Sequence, residues 1–204
     1  MLRRLLQLYI GLVLYGVSTA LFVHANLGAD PWDVFHLGVA KQLGISFGTV
    51  IILTGAAVLL LWIPIRQMPG LGTVSNVIVL GLAADATLAV LPPLESMVAR
   101  SALLAGAIVL NAIATGMYIG AGFGPGPRDG LMTGLHARTG WSLRVIRTAI
   151  ELSVLLIGWL LGGKFGVGTV IYALSIGPLI QLCLPWFSQP VSRNAVSPPR
   201  EIVS

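Results

Sequence analysis

Ala25-Asn26-Leu27-Gly28-Ala29-Asp30-Pro31-Trp32-Asp33 returns later in the chain as Ala121-Gly122-Phe123-Gly124-Pro125-Gly126-Pro127-Arg128-Asp129, and this pair of stretches decides the fold. The offset of 96 residues, from Ala25 to Ala121, runs on without a gap through Gly38/Gly134, Gly44/Gly140, Ser46/Ser142, Val58/Val154, Gly70/Gly166, Thr73/Thr169 and Gly81/Gly177. Random apolar sequence does not hold Gly, Pro, Asp, Ser and Thr in register over such a distance. The chain reads as one unit written twice, residues 1–92 and 93–187, followed by a tail over 188–204 that is rich in Pro and Ser and lacks apolar periodicity. The tail is expected to be disordered, and function is expected where the two copies meet.

Composition places the chain in a bilayer. Of its 204 residues 56% are hydrophobic and 9% charged, too few charges for the water-facing shell of a soluble domain. One cysteine, Cys183, excludes an intrachain disulfide, and three separated histidines supply no metal cluster. No metal or cofactor is expected. The net charge of +5 sits at the ends of apolar runs rather than on a basic face, which fits membrane topology and argues against nucleic acid.

The apolar runs give three spans per copy. Met1-Leu2-Arg3-Arg4 and the run to Val23 imitate a secretory leader, but the same run recurs internally as Ser101–Gly120, so it is read as a span of about 20 residues. Ser46–Ile65 and Gly72–Leu91 complete the first copy, with Thr73 as a helix cap; Ser142–Leu161 and Gly168–Phe187 complete the second. Between them lie two short pieces, Val34–Leu43 and Arg128–Thr139, each well under the ~20 residues that a crossing needs. The expected fold is all-α: a polytopic helical membrane protein of two tandem repeats, each with three spans and one short re-entrant helix.

Three crossings per copy would turn the second copy upside down, an inverted repeat. That arrangement leaves Lys41, Arg100 and Lys164 outside and the other nine basic residues inside, with both termini cytoplasmic. A parallel arrangement, in which the short helices also cross, moves Lys41 and Arg100 inside and Arg66 and Arg128 outside and counts the same nine against three. Charge does not separate the two. Helix length favours the inverted one, because irregular backbone survives at membrane depth only against protein or a wet cavity.

Several polar residues interrupt this apolar background. Asp30 precedes Pro31, the favoured first helical position, and Asp33 is placed to reach back to free N–H groups, so helix capping competes with ligand binding at Asp33 and at Asp129. The broken backbone around Asn26, Gly28, Gly124 and Gly126 exposes two helix N-termini that suit an anionic group. The copies differ chemically: Trp32, Gly48, Ile51 and Gly55 of the first are replaced by Arg128, Arg144, Arg147 and Glu151 in the second. Glu151 lies about 13 Å along its helix, one turn beyond Arg147, so either a structural ion pair or a solute site with a coupled proton is expected there. Asp85, whose counterpart is Gln181, is a second carboxylate within a span, either proton-carrying or hydrogen-bonded to a neighbouring helix. Asn76 and Asn111 read as interhelical hydrogen-bonding residues, and His36 and His136 as interfacial. Gly70–Thr73 and Gly166–Thr169 lack the lysine of a phosphate loop, and no nucleophile or metal signature is present, so no enzyme is expected.

The segments ANLGADPWDVFHLGVAKQLGISFGTV, IGAGFGPGPRDGL, RTAIEL and GGKFGVGT together resemble the YczE/YitT-type integral membrane proteins of bacteria, the YczE branch above all, over about Gly11 to Pro185. The resemblance implies a multi-pass protein of the bacterial inner membrane and assigns no catalytic residues. The residues themselves suggest a secondary transporter of a small polar or anionic solute, with Asn26, Asp33, Arg128, Asp129 and Arg147 binding it and Asp85 and Glu151 carrying protons. The alternative is a non-transporting accessory that binds a partner protein. A homo-oligomer and a membrane-protein partner are both compatible with this sequence.

Overall fold

The structure, a computed structural model, describes residues 1–188. The tail expected to be disordered therefore lies, but for its first residue, outside the described residues. Among them are eight helices and no strand: α1 (Leu2–Ala25), α2 (Pro31–Leu43), α3 (Phe47–Ile65), α4 (Leu71–Val90), α5 (Met97–Gly120), α6 (Pro127–Thr139), α7 (Leu143–Leu160) and α8 (Val167–Phe187).

Local chemistry sets the boundaries. Pro31 and Pro127 occupy the first helical positions of α2 and α6, where the missing N–H costs nothing. The hydroxyls of Ser46, Ser96 and Ser142 accept N–H bonds from Thr49, Ala99 and Val145 and so cap α3, α5 and α7. Gly44 and Gly140 end α2 and α6 in the left-handed conformation. Thr73 lies three residues inside α4, where its hydroxyl accepts from the Gly70 N–H at 3.2 Å and donates to the Pro125 carbonyl at 2.7 Å.

Among the described residues five helices are long and apolar enough to cross a membrane: α1, α3, α4, α5 and α8. The sixth expected span forms as α7, but its 18 residues include Arg144, Arg147 and Glu151 and it does not share that apolar character. The short pieces, α2 and α6, each reach 13 residues, or about 20 Å, still less than a ~30 Å hydrocarbon core.

The helices form two layers. In one, α1 packs on α4 and α5, and α5 on α8; in the other, α2 packs on α3 and α7, and α6 on α3 and α7. Leu8 and Leu12 meet Tyr118 and Ala121 at one end of the α1–α5 contact, and Phe22 and Ala25 meet Leu104, Ala107 and Ile108 at the other. α1 and α5 thus run antiparallel. Trp32, Val58, Trp62 and Leu131 bind the second layer together, with Ile150 and Val154 of α7 against them.

The two broken segments are held by matching bonds. Arg4 donates from Nε to the Ala121 carbonyl at 2.9 Å, and Arg100 donates from Nε to the Ala25 carbonyl at 2.7 Å. The Leu27 carbonyl accepts from the Gly168 N–H at 2.8 Å, while that of Phe123 accepts from the Gly72 N–H at 2.9 Å. Gly28 (φ 108°) and Gly124 (φ 113°) allow these turns; a β-carbon on Gly28 would lie 2.7 Å from the Thr169 hydroxyl, and one on Gly124 2.9 Å from that of Thr73.

The layers pack helix on helix along α3–α4, and the Tyr118–Asp129 bond links them again between α5 and α6. Along α3–α4, Gly48 and Gly81 face each other so closely that a β-carbon on Gly81 would fall 2.5 Å from the Gly48 carbonyl oxygen. At the opposite edge α7 does not pack closely on α8, and Gly177, which stands where Gly81 stands in the first half, has open space within 4 Å of its β position.

Candidate functional site

Between the layers, on the α7–α8 side, lies a cavity of about 220 Å³ that receives the starts of both short helices. Pro31 and Trp32 enter it from α2, Pro127, Arg128 and Asp129 from α6, and Arg147 and Glu151 from α7. Tyr15, Thr115, Tyr118 and Tyr172 line it from the long-helix layer. Both helix N-termini arrive here because proline and the preceding extended residue fix the entry direction of the chain, and the crossed Leu27–Gly168 and Phe123–Gly72 bonds fix where the breaks sit.

The two N-termini are finished differently. At α2 the Asp30 carboxylate accepts the Asp33 N–H at 2.7 Å, so Asp30 caps the helix, whereas Asp33 does not reach back as its spacing suggested. Asp33 is buried, its Oδ1 lies 3.3 Å from Nδ1 of the buried His36, and its Oδ2 has no partner among the described residues. At α6 the capping position is Gly126, with no side chain to offer. Asp129 turns instead to the Tyr118 hydroxyl, which donates to its Oδ2 at 3.0 Å.

Arg128 joins the two ends. Its Nη1 donates to Asp30 Oδ2 at 3.1 Å, and its guanidinium lies 5.1 Å from the centre of the Trp32 ring, where the ring face attracts a cation. The Trp62 indole N–H, donating to the Pro127 carbonyl at 3.1 Å, steadies the first turn of α6. Across the cavity Arg147 Nε donates to Glu151 Oε1 at 2.8 Å, a pair one helical turn apart and partly exposed. Thr115 Oγ1 and Trp32 Nε1 are buried without a hydrogen-bond partner among the described residues.

Of the residues singled out in the sequence, Arg128, Asp129, Arg147 and Glu151 come together in this cavity, and Asn26, Asp33 and Asp85 do not. Asn26 closes α1 in the left-handed conformation and accepts from Lys164 Nζ at 2.5 Å, beside Lys41 at a separate end of the molecule. Asp33 sits behind Asp30. Asp85 accepts from the Ser46 hydroxyl at 2.5 Å and from the Gly48 N–H at 2.6 Å, so it serves the start of α3 across the closed α3–α4 edge. Asn111 donates to Ser18 Oγ at 2.9 Å, a bond between α5 and α1 of the kind expected of it. His36 is buried rather than interfacial, packed against Trp32, Phe35 and Phe47.

Sequence reasoning missed the three tyrosines, Thr115 and the Arg4/Arg100 pair. Arg4 and Arg100 keep the 96-residue offset and so were detectable. Tyr15, Tyr118 and Tyr172 were not, since in an apolar helix a tyrosine reads as packing. Among the described residues no group of three potential metal ligands occurs.

Comparison with known proteins agrees with the membrane character. Residues 2–185 match the family model described as a family of unknown function, DUF6198. A Haemophilus influenzae protein described as uncharacterized is 38% identical over 177 residues, 87% of this chain and 81% of that one. The Bacillus subtilis "Uncharacterized membrane protein YczE" is 30% identical over 87% of this chain and 83% of its own length, and B. subtilis YyaS is 23% identical over 86% and 90%. No solved structure matches. With its apolar helices and its YczE relative, the chain is an integral membrane protein, and it belongs to the DUF6198 family.

Proposed function

We propose that this protein is a secondary transporter that carries a small polar solute across the bacterial inner membrane by alternating access, with the cavity between the two helix layers as its binding site. The observation that carries this reading is the unequal closure of the layers. They are sealed along α3–α4 and parted along α7–α8, with two broken segments and five charged side chains at the gap. A rocking motion of the α2–α3–α6–α7 layer that opened one edge and closed the other would expose the same cavity to the two sides in turn.

The inverted repeat is part of this proposal. It is supported by the antiparallel α1 and α5, by the matching Arg4 and Arg100 bonds, and by the crossed Leu27–Gly168 and Phe123–Gly72 bonds. α7 is the sixth span, with Arg147 and Glu151 tolerated at depth because they border a cavity rather than lipid. Arg128 and Arg147 orient the solute, and Glu151, its side chain 31% exposed beside Arg147, carries the coupling proton. Asp85 acts at the closed edge, where its carboxyl group holds the start of α3 against α4.

Flux into sealed vesicles at several pH values tests the reading, comparing the unaltered chain with Glu151→Gln. Loss of the pH dependence is expected; an unchanged profile removes Glu151 from coupling. Sidedness is tested with Gln67→Cys in a Cys183→Ser background, where the inverted arrangement keeps residue 67 cytoplasmic and protected from an impermeant thiol reagent on intact cells. Labelling from outside would make the repeats parallel. Co-purification of a stoichiometric partner without any solute-induced thermal stabilisation would favour the accessory role instead.

A further inference from the structure

We infer that the solute carries a positively charged nitrogen that docks at Asp129 and an oxygen acceptor that meets Thr115 and Trp32, making it an amino-acid-like zwitterion or an amino alcohol rather than a simple anion. This rests on the cavity being the solute site. Three carboxylates, Asp30, Asp129 and Glu151, and two guanidiniums, Arg128 and Arg147, line it, a formal balance of −1. Both guanidiniums are already matched, Arg128 by Asp30 at 3.1 Å and Arg147 by Glu151 at 2.8 Å. Each guanidinium keeps further N–H donors that can orient a solute oxygen, but its charge is already offset by a carboxylate, so a simple anion gains less here than at an unpaired arginine.

Asp129 is the carboxylate left over. No basic side chain among the described residues pairs with it; its Oδ2 takes only the Tyr118 hydroxyl, and the residue is exposed to the cavity. Tyr118 stands edge-to-face with Tyr15, ring centres 5.9 Å apart, so aromatic surface borders the carboxylate. A carboxylate beside tyrosine rings is a setting for an ammonium group. The second half of the recognition comes from two buried groups. The Thr115 hydroxyl and the Trp32 indole N–H, each on a residue 6% exposed, line the same cavity with no partner of their own. A buried donor without an acceptor is destabilising, and a solute oxygen would satisfy it.

Isothermal titration of the purified full chain with three matched probes, β-alanine, n-propylamine and propionate, tests this directly. The expected order is β-alanine tightest, n-propylamine next and propionate weakest, at least about tenfold below n-propylamine. Asp129→Asn is expected to weaken β-alanine by about tenfold or more, with an unchanged ligand-free melting temperature showing that the fold is kept. The probe ranking on the unaltered chain needs no variant and stands if Asp129→Asn fails to fold. Propionate binding as tightly as β-alanine, or neither amine binding at about 10 mM, would overturn the inference. Vesicle uptake separates it from the transport reading. Amine binding without β-alanine uptake keeps the ammonium site and ends the transporter, whereas propionate uptake without amine binding does the reverse.

Discussion

The α3–α4 edge and the α7–α8 edge are built from segments that share glycines and serines at a constant offset, yet one is shut and the other stands open. At the shut edge Gly48 and Gly81 let two helix backbones touch, and Asp85 ties α4 to the first turn of α3. At the open edge Gly177 still stands opposite, but its partner position holds Arg144 and the following turns hold Arg147 and Glu151. The exchange of glycine for arginine forfeits the small residue that a close backbone approach needs, and α7 does not pack closely on α8. The contrast teaches that a repeated sequence can give one interface and one cavity when only one copy keeps the small residues.

The sharpest way to break the comparison is to add a methyl group at matched positions. Gly81→Ala drives a β-carbon into the Gly48 carbonyl and is expected to cost about 1–3 kcal/mol. Gly177→Ala meets open space but precedes Pro178, whose ring crowds a preceding β-carbon and offsets the gain in helix propensity, so it is expected to stay within about 1 kcal/mol of neutral. Unfolding in one detergent measures both. Equal losses would mean that α7 and α8 pack as closely as α3 and α4.

A smaller difference is expected between the carboxylates of the two edges. Asp85→Ala strips the Ser46 hydroxyl and the Gly48 N–H of their acceptor and is expected to cost about 2 kcal/mol. Glu151→Ala breaks a partly exposed i,i+4 pair and is expected to cost under about 1 kcal/mol. Thermal midpoints of the two variants check the order, and a reversed order would make Glu151 the structural residue.

The smallest effect separates the two threonines. Thr73→Val loses bonds to both Gly70 and Pro125 and is expected to cost about 1 kcal/mol. Thr169→Val loses a single long bond, from the Gly166 N–H at 3.4 Å, and is expected to cost about half as much. Hydrogen exchange at Gly70 and Gly166 reads the same difference locally.

Much of the fold was legible in the sequence. Pro31 and Pro127 announced the starts of the short helices, and Ser46 and Ser142 the starts of α3 and α7, because prolines and caps act on backbone groups within one helical turn. The tertiary structure corrected details that depended on which way a side chain turned. Asp30 rather than Asp33 caps α2, and Thr73 lies inside α4 with its hydroxyl directed at the neighbouring broken segment.

The sequence alone determined that this chain is helical, membrane-embedded and interrupted twice by a glycine break that ends in a helix-starting proline, since apolar length and local punctuation leave no other satisfied backbone in hydrocarbon. It also marked the arginines and glutamate that distinguish the second copy. Only the tertiary structure decided that Arg128 meets Asp30, 98 residues away, that Asp85 serves another helix, and that Asp129 bonds to the Tyr118 hydroxyl rather than to its own helix start. A carboxylate within a span has the same sequence signature whether it caps a neighbouring helix, neutralises an arginine or faces a cavity. Which of these it does depends on contacts between elements far apart in the chain, and no local pattern encodes them.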